Sequence, residues 1–159
     1  MKRRHFVTLL ALVPLPALAQ GSTPTAAQPE LSKERLVVTT RDGEPHEFHV
    51  EMATKRDQQT VGLMFRTNVP ADGGMLFDWG SPRDSQMWMR NTIVPLDMVF
   101  INTDGTIRSI AENTIPESLA VIDSRGPVRA TLELAGGTTA RLNIRVGDTV
   151  RQRIFGNAP

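Results

Sequence analysis

From Arg35 onward, apolar and polar residues alternate in short runs broken by Gly, Pro and Asp, the period of exposed β-strands rather than helices. Arg35-Leu36-Val37-Val38-Thr39-Thr40 and Glu47-Phe48-His49-Val50-Glu51-Met52 read as two strands joined by a turn at Asp42-Gly43. Thr54, with Asp57 three residues on, predicts the start of a short helix over Lys55 to Val61 that Gly62 closes. Further strands are predicted over Gly74 to Trp79, Gln86 to Arg90, Leu96 to Asn102, Thr106 to Glu112, Val128 to Leu134 and Thr149 to Phe155. Asp104-Gly105 is a tight hairpin, and a second short helix fits Ala140 to Asn143. With so few helices, a covered parallel sheet is excluded. The expectation is a mainly β, single-domain fold: an antiparallel β-sandwich or barrel-like sheet with one or two short helices.

The N-terminus breaks this pattern. Lys2-Arg3-Arg4 followed by the apolar run Phe6 to Leu15 and the small residues of Ala17-Leu18-Ala19 reads as a signal peptide over residues 1–19. The arginine pair, followed one residue later by two hydrophobic residues, favours a twin-arginine signal, with an ordinary Sec signal as the alternative. The run is shorter than the roughly 20 apolar residues a spanning helix needs, so no membrane span is expected. The chain is thus expected in the periplasm or secreted. Residues 20–33, rich in Ser, Thr, Pro, Gln and Ala, read as a flexible linker, residues 34–155 as the domain and residues 156–159 as a tail.

Cleavage changes the charge. The chain has 18 Lys and Arg against 17 Asp and Glu; Lys2, Arg3 and Arg4 leave with the signal, so 15 against 17 gives −2. Without a basic block, nucleic acid is not an expected partner. Cysteine is absent, which excludes disulfides, thiol nucleophiles and thiolate metal sites.

Candidate chemistry concentrates between Gly62 and Gly105. Asp97, between Leu96 and Met98 in a run apolar on both faces, is a buried carboxylate in need of a partner. A hairpin around Asn91 to Pro95 would bring Arg90 to it, either as a register-fixing ion pair or as the polar centre of a ligand site with Arg66, Trp88 and Asn91. Glu133, between Leu132 and Leu134, is a second embedded carboxylate, and with Asp97 could form an acid and base pair acting on a glycoside. Met87 and Met89 would share a face of one strand and could hold Cu(I), although methionine more often fills core gaps. His46 and His49 fall on opposite faces of a strand and make no joint metal site. Glu47, His49 and Glu51 share one face and could hold a hard or borderline cation, although the solvated face of an edge strand gives the same pattern. No serine triad or phosphate-binding glycine loop is present, and no cofactor is expected.

Several motifs in fixed order carry a resemblance. Gly62-Leu63-Met64-Phe65-Arg66, Gly74-Met75-Leu76-Phe77, Trp88-Met89-Arg90-Asn91-Thr92 and Pro95-Leu96-Asp97-Met98-Val99-Phe100 come first. Ser124-Arg125-Gly126-Pro127, Leu132-Glu133-Leu134 and Val146-Gly147-Asp148 follow. Together they resemble the domain-of-unknown-function 192 family across about Leu36 to Val150. Met87 departs from the aromatic more usual there. The resemblance implies a compact, mainly β domain in small, often exported proteins, and no agreed reaction, cofactor or partner. The first functional reading is therefore an extracytoplasmic, non-catalytic module that binds a small molecule, saccharide or peptide through Arg66, Trp88, Arg90, Asn91 and Asp97. The alternatives are a carbohydrate-active enzyme using Asp97 and Glu133, and a Cu(I) site at Met87 and Met89.

Overall fold

A computed structural model describes residues 23–159, so the expected signal peptide lies outside the described residues. Seven strands form one sheet: β1 (Lys33–Thr39), β2 (Pro45–Ala53), β3 (Gly73–Met87), β4 (Leu96–Ile101), β5 (Ile107–Ala111), β6 (Ile122–Ala135) and β7 (Thr149–Arg151). Two short helices, α1 (Arg56–Val61) and α2 (Thr138–Arg141), complete the elements with a 3-10 turn over Arg153–Phe155. The order across the sheet is β5-β4-β6-β3-β2-β1-β7. Its two edges meet, because Thr106 bridges Thr149, Ile107 N donates to Asp148 O at 2.8 Å and Val150 N donates to Gly105 O at 2.8 Å. The sheet is thus a nearly closed barrel, which leaves few backbone groups on unpaired edges.

The first hairpin forms as expected. Gly43, at φ 85°, supplies the left-handed turn position, and Leu36 pairs with Phe48 across it. Helix α1 ends at Gly62, but its N-terminal capping differs from expectation: Gln58 Oε1, not Thr54, accepts from the amides of Thr54 and Lys55 at 3.1 and 3.0 Å. The expected strand Gly74 to Trp79 and the first two residues of the expected strand Gln86 to Arg90 belong to one strand, β3, whose register with β6 slips between Asp78 and Arg83; Trp88 to Arg90 lie beyond its end and are not strand. Strand β6 lies between β3 and β4, so no hairpin joins the Arg90 and Asp97 regions. The β2–β3 pair is parallel, an exception in an otherwise antiparallel sheet. The segment expected as a linker is held against the domain from Gln28: its side-chain amide donates to Gln58 O and Gly62 O at 3.0 and 2.9 Å, and Leu31 N donates to Glu51 at 2.8 Å.

Strand alternation divides the apolar residues into two cores. Leu36, Phe48, Val50, Leu76, Val99, Ile101, Leu132, Leu134 and Val150 fill the barrel. Met75, Phe77, Met98 and Phe100 point the other way, outside the barrel, where Leu63, Val69, Met89 and Leu96 cover them. The outward face of β4, the start of β3 and the middle of β6 are thus buried as well.

Candidate functional site

The outer core contains one ionisable side chain with no partner. Glu133 on β6 stands directly between Met75 of β3 and Met98 of β4, is 4% exposed, and its Oε2 has no hydrogen-bond partner. Burial among apolar neighbours pushes its carboxyl up to about 8, so at neutral pH it holds a proton. Glu133 forms part of the wall of a cleft of about 330 Å³, within the lower range of small-molecule pockets.

Four segments enclose this cleft. Helix α1 and its C-terminal extension contribute Arg56, Gln59, Gly62, Leu63 and Met64, β3 contributes Phe77, Trp79 and Arg83, and the β3–β4 connection contributes Trp88 and Thr92. A Cβ on Gly62 would stand 3.0 Å from Phe77 Cζ and 4.0 Å from Glu133 Oε2, so glycine keeps this wall open. At Gly74, φ 153°, a Cβ would overlap the Glu133 carbonyl oxygen. Glycine there lets β3 close on β6 beneath the site. Arg83 lies 4.0 Å over the Trp79 ring, whose indole N–H donates to Thr131 Oγ1 at 3.2 Å. Trp79 also packs on Phe77 at 5.6 Å between centroids. Trp88 is 47% exposed, with Arg90 stacked 5.5 Å from its ring centroid. The cleft therefore offers indole faces, guanidinium and amide donors, and a neutral acid that can donate or accept a hydrogen bond.

The five residues expected to make one ligand site are dispersed. Trp88 alone lines this cleft. Arg90 is exposed, stacks on the Trp88 ring and does not line the cleft. Asn91 has φ 56° and serves a turn: its carbonyl accepts from Phe65 N at 2.8 Å and its side-chain amide lies 3.8 Å from Met64 sulfur. Arg66 pairs with Glu51 at 3.0 Å beside a second cavity of about 240 Å³. Asp97 is fully buried, and its partners are not Arg90 but the amides of Asn113, Gly137 and Thr139 and the Thr139 hydroxyl, at 2.7 to 2.9 Å. It therefore ties β4 to the start of α2, a backbone role that leaves no oxygen for a ligand.

The two alternatives fail on geometry. Asp97 pairs with Leu134, the neighbour of Glu133, so the two carboxyl groups face opposite sides of the sheet and cannot flank a glycosidic bond. Strand β3 ends at Met87, so Met87 and Met89 do not share a strand face. Met89 is wholly buried, and its sulfur accepts from Thr114 Oγ1 at 3.1 Å. The two histidines diverge as alternation requires, and Glu47 is engaged by Arg35 at 2.8 Å.

The segments that meet at the cleft are those that carry the family resemblance, and the profile of DUF192, described as "Uncharacterized ACR", matches residues 37–152. The chain belongs to this family. A structure from Sinorhizobium meliloti 1021, provisionally named a transcription regulator, is similar at 46% identity and a TM-score of 0.77, covering 80% of this chain and 99% of that one. A protein of unknown function from Novosphingobium aromaticivorans DSM 12444 is similar at 37% identity and a TM-score of 0.75, covering 83% of this chain and all of that one. No curated protein matches the chain. Several of the DUF192 motifs thus converge spatially: Gly62 to Met64, Phe77, Trp88, Thr92 and Glu133 line one cleft, while Met75 and Met98 flank its acid.

Proposed function

We propose that this DUF192 domain is an extracytoplasmic ligand-binding module whose site is the cleft over Glu133. The observation that carries the reading is a buried acid without a partner at the wall of an open cleft. Such a group costs stability, and a ligand hydrogen bond would offset that cost. Trp79 and Trp88 suit a flat or apolar ligand face, while Arg56, Arg83 and Gln59 suit oxygen acceptors. Saccharides, acidic peptides and small anions carry those features. Export through the segment at residues 1–19 would place the module in the periplasm or outside the cell.

The transcription-regulator name of the Sinorhizobium structure suggests a DNA-binding alternative. Against it, residues 23–159 carry a net charge of −2, and α1, the longest helix among them, has six residues. A helix reading the major groove against a basic surface has no counterpart here. The test is a thermal-unfolding screen of the protein against cell-wall sugars, short peptides and small anions, with Trp88→Ala beside the wild type. A ligand at about 100 times its Kd adds about 2.7 kcal/mol of stability. The reading expects a shift in the wild type that Trp88→Ala loses; equal shifts in both proteins would place the ligand elsewhere.

A further inference from the structure

Beside the cleft lies an apolar surface that the fold does not use. Ile115, Leu119 and Val121, in the β5–β6 connection, are 73%, 67% and 62% exposed, and Ile93 and Trp88 on the β3–β4 connection are also exposed. Backbone hydrogen bonds join the two connections. Met89 N donates to Ser118 O at 3.0 Å and Glu117 N donates to Thr92 O at 2.9 Å. Met87 pairs with Ile122 at the end of the β3–β6 ladder, so Trp88 and Val121 are the residues that adjoin its last pair. Trp88 and Thr92 also line the cleft, which makes the apolar surface continuous with its mouth. An exposed cluster of large apolar side chains at a pocket rim marks a binding surface.

The cleft itself favours an anion. Arg56 and Arg83 line it, Arg90 stacks on the Trp88 ring, and no lining side chain other than Glu133 is acidic. Glu133 holds its proton up to about pH 8, so it adds no negative charge at neutral pH and offers a hydrogen bond instead. A membrane surface is less well matched than a single molecule. Glu112, Glu117 and Asp123 are exposed around the apolar cluster, and residues 23–159 are net negative, which opposes docking on an anionic bilayer.

We infer that the ligand is an amphiphile, with an anionic headgroup held in the cleft by Arg56 and Arg83 and a hydrocarbon chain lying over Trp88, Val121 and Leu119. This inference rests on the cleft being the site. A chain on a surface buries one side only, so each added methylene should strengthen binding about 2-fold, against about 4-fold for full burial.

Calorimetric titration with inorganic phosphate, butyl, octyl and dodecyl phosphate, each below its micellar concentration, tests it in the wild type, Arg83→Ala and Leu119→Ser/Val121→Ser. Both substituted patch residues are exposed, and unfolding curves report whether that variant keeps its stability. The expected result is affinity that rises with chain length in the wild type. Leu119→Ser/Val121→Ser should flatten the rise and retain butyl phosphate, while Arg83→Ala should weaken every member of the series. Equal binding of butyl and dodecyl phosphate would overturn the amphiphile and leave the cleft reading standing. Pelleting with phosphatidylglycerol vesicles, without binding of monomeric dodecyl phosphate, would replace it with a membrane surface. No phosphate binding, with a hit among sugars or peptides, would remove the amphiphile alone; silence in both series would remove the cleft reading too.

Discussion

Glu133→Gln isolates the ionisation of the cleft wall with almost no change of shape. In the unfolded chain the Glu133 carboxyl ionises near 4.5, and in the folded domain near 8. Between those values the unfolded state releases a proton that the folded state keeps, so stability falls as pH rises, by about 1.4 kcal/mol per unit. This loss is absent below about pH 4.5, amounts to about 3 kcal/mol at pH 7 and levels off above pH 8 at about 5 kcal/mol. Glutamine cannot ionise, but its amide brings N–H groups of its own, at a cost of about 1–3 kcal/mol if unpaired. That cost does not vary with pH. The informative quantity is therefore the change in the variant-minus-wild-type difference, measured by urea unfolding at pH 5 and pH 8. It should move by about 3 to 4 kcal/mol in favour of Glu133→Gln, a gap in midpoint on the order of 10 °C in a thermal assay. A difference that stays constant between the two pH values would mean that Glu133 is ionised, or finds a partner, in the folded protein.

Asp97→Asn should destabilise the ligand-free protein by about 2–4 kcal/mol in denaturant titration, since an amide cannot accept at both positions from the donors of Asn113, Gly137 and Thr139. Arg66→Ala leaves Glu51 buried without its cation and should cost about 3 kcal/mol, read by the same titration. Gly74→Ala forces β3 away from the Glu133 carbonyl and should lower the thermal midpoint by several degrees, where an ordinary surface substitution would move it little. Trp88→Ala, at a half-exposed position, should change stability by less than about 1 kcal/mol while abolishing ligand-dependent stabilisation.

Local chemistry was legible in the chain where neighbouring residues decide it. Asp42-Gly43 and Asp104-Gly105 placed their turns, Gly62 ended α1, and period-two alternation separated His46 from His49. Long-range pairing was not legible. Gly80-Ser81-Pro82 falls between two predicted strands, yet it lies within β3, whose ladder with β6 resumes at Arg83. The insertion of β6 between β3 and β4 removed the expected Arg90–Asp97 pair, and nothing in a sequence shows that backbone amides will serve a carboxylate. Glu133 was visible as an embedded acid, but its surroundings were not. Opposite Leu132 and Leu134 in the pleat, it would ordinarily meet water. Only the second core outside the barrel, covered by Leu63 and Met89, turns that face into an apolar one. The five expected ligand residues came from a contiguous stretch of sequence, whereas the cleft draws on α1, β3, the β3–β4 connection and β6.

The proposed site depends on the proton of Glu133. The most direct measurement is a carbon-13 NMR titration of the glutamate side-chain carboxyls, with Glu133→Gln identifying the resonance. The expected midpoint for Glu133 is about 8, well above its ordinary value of 4.5, with the carboxyl neutral at pH 6. A midpoint near 4.5 would contradict the account, since an ionised Glu133 would make the cleft wall anionic and remove the neutral acid on which the proposed site depends.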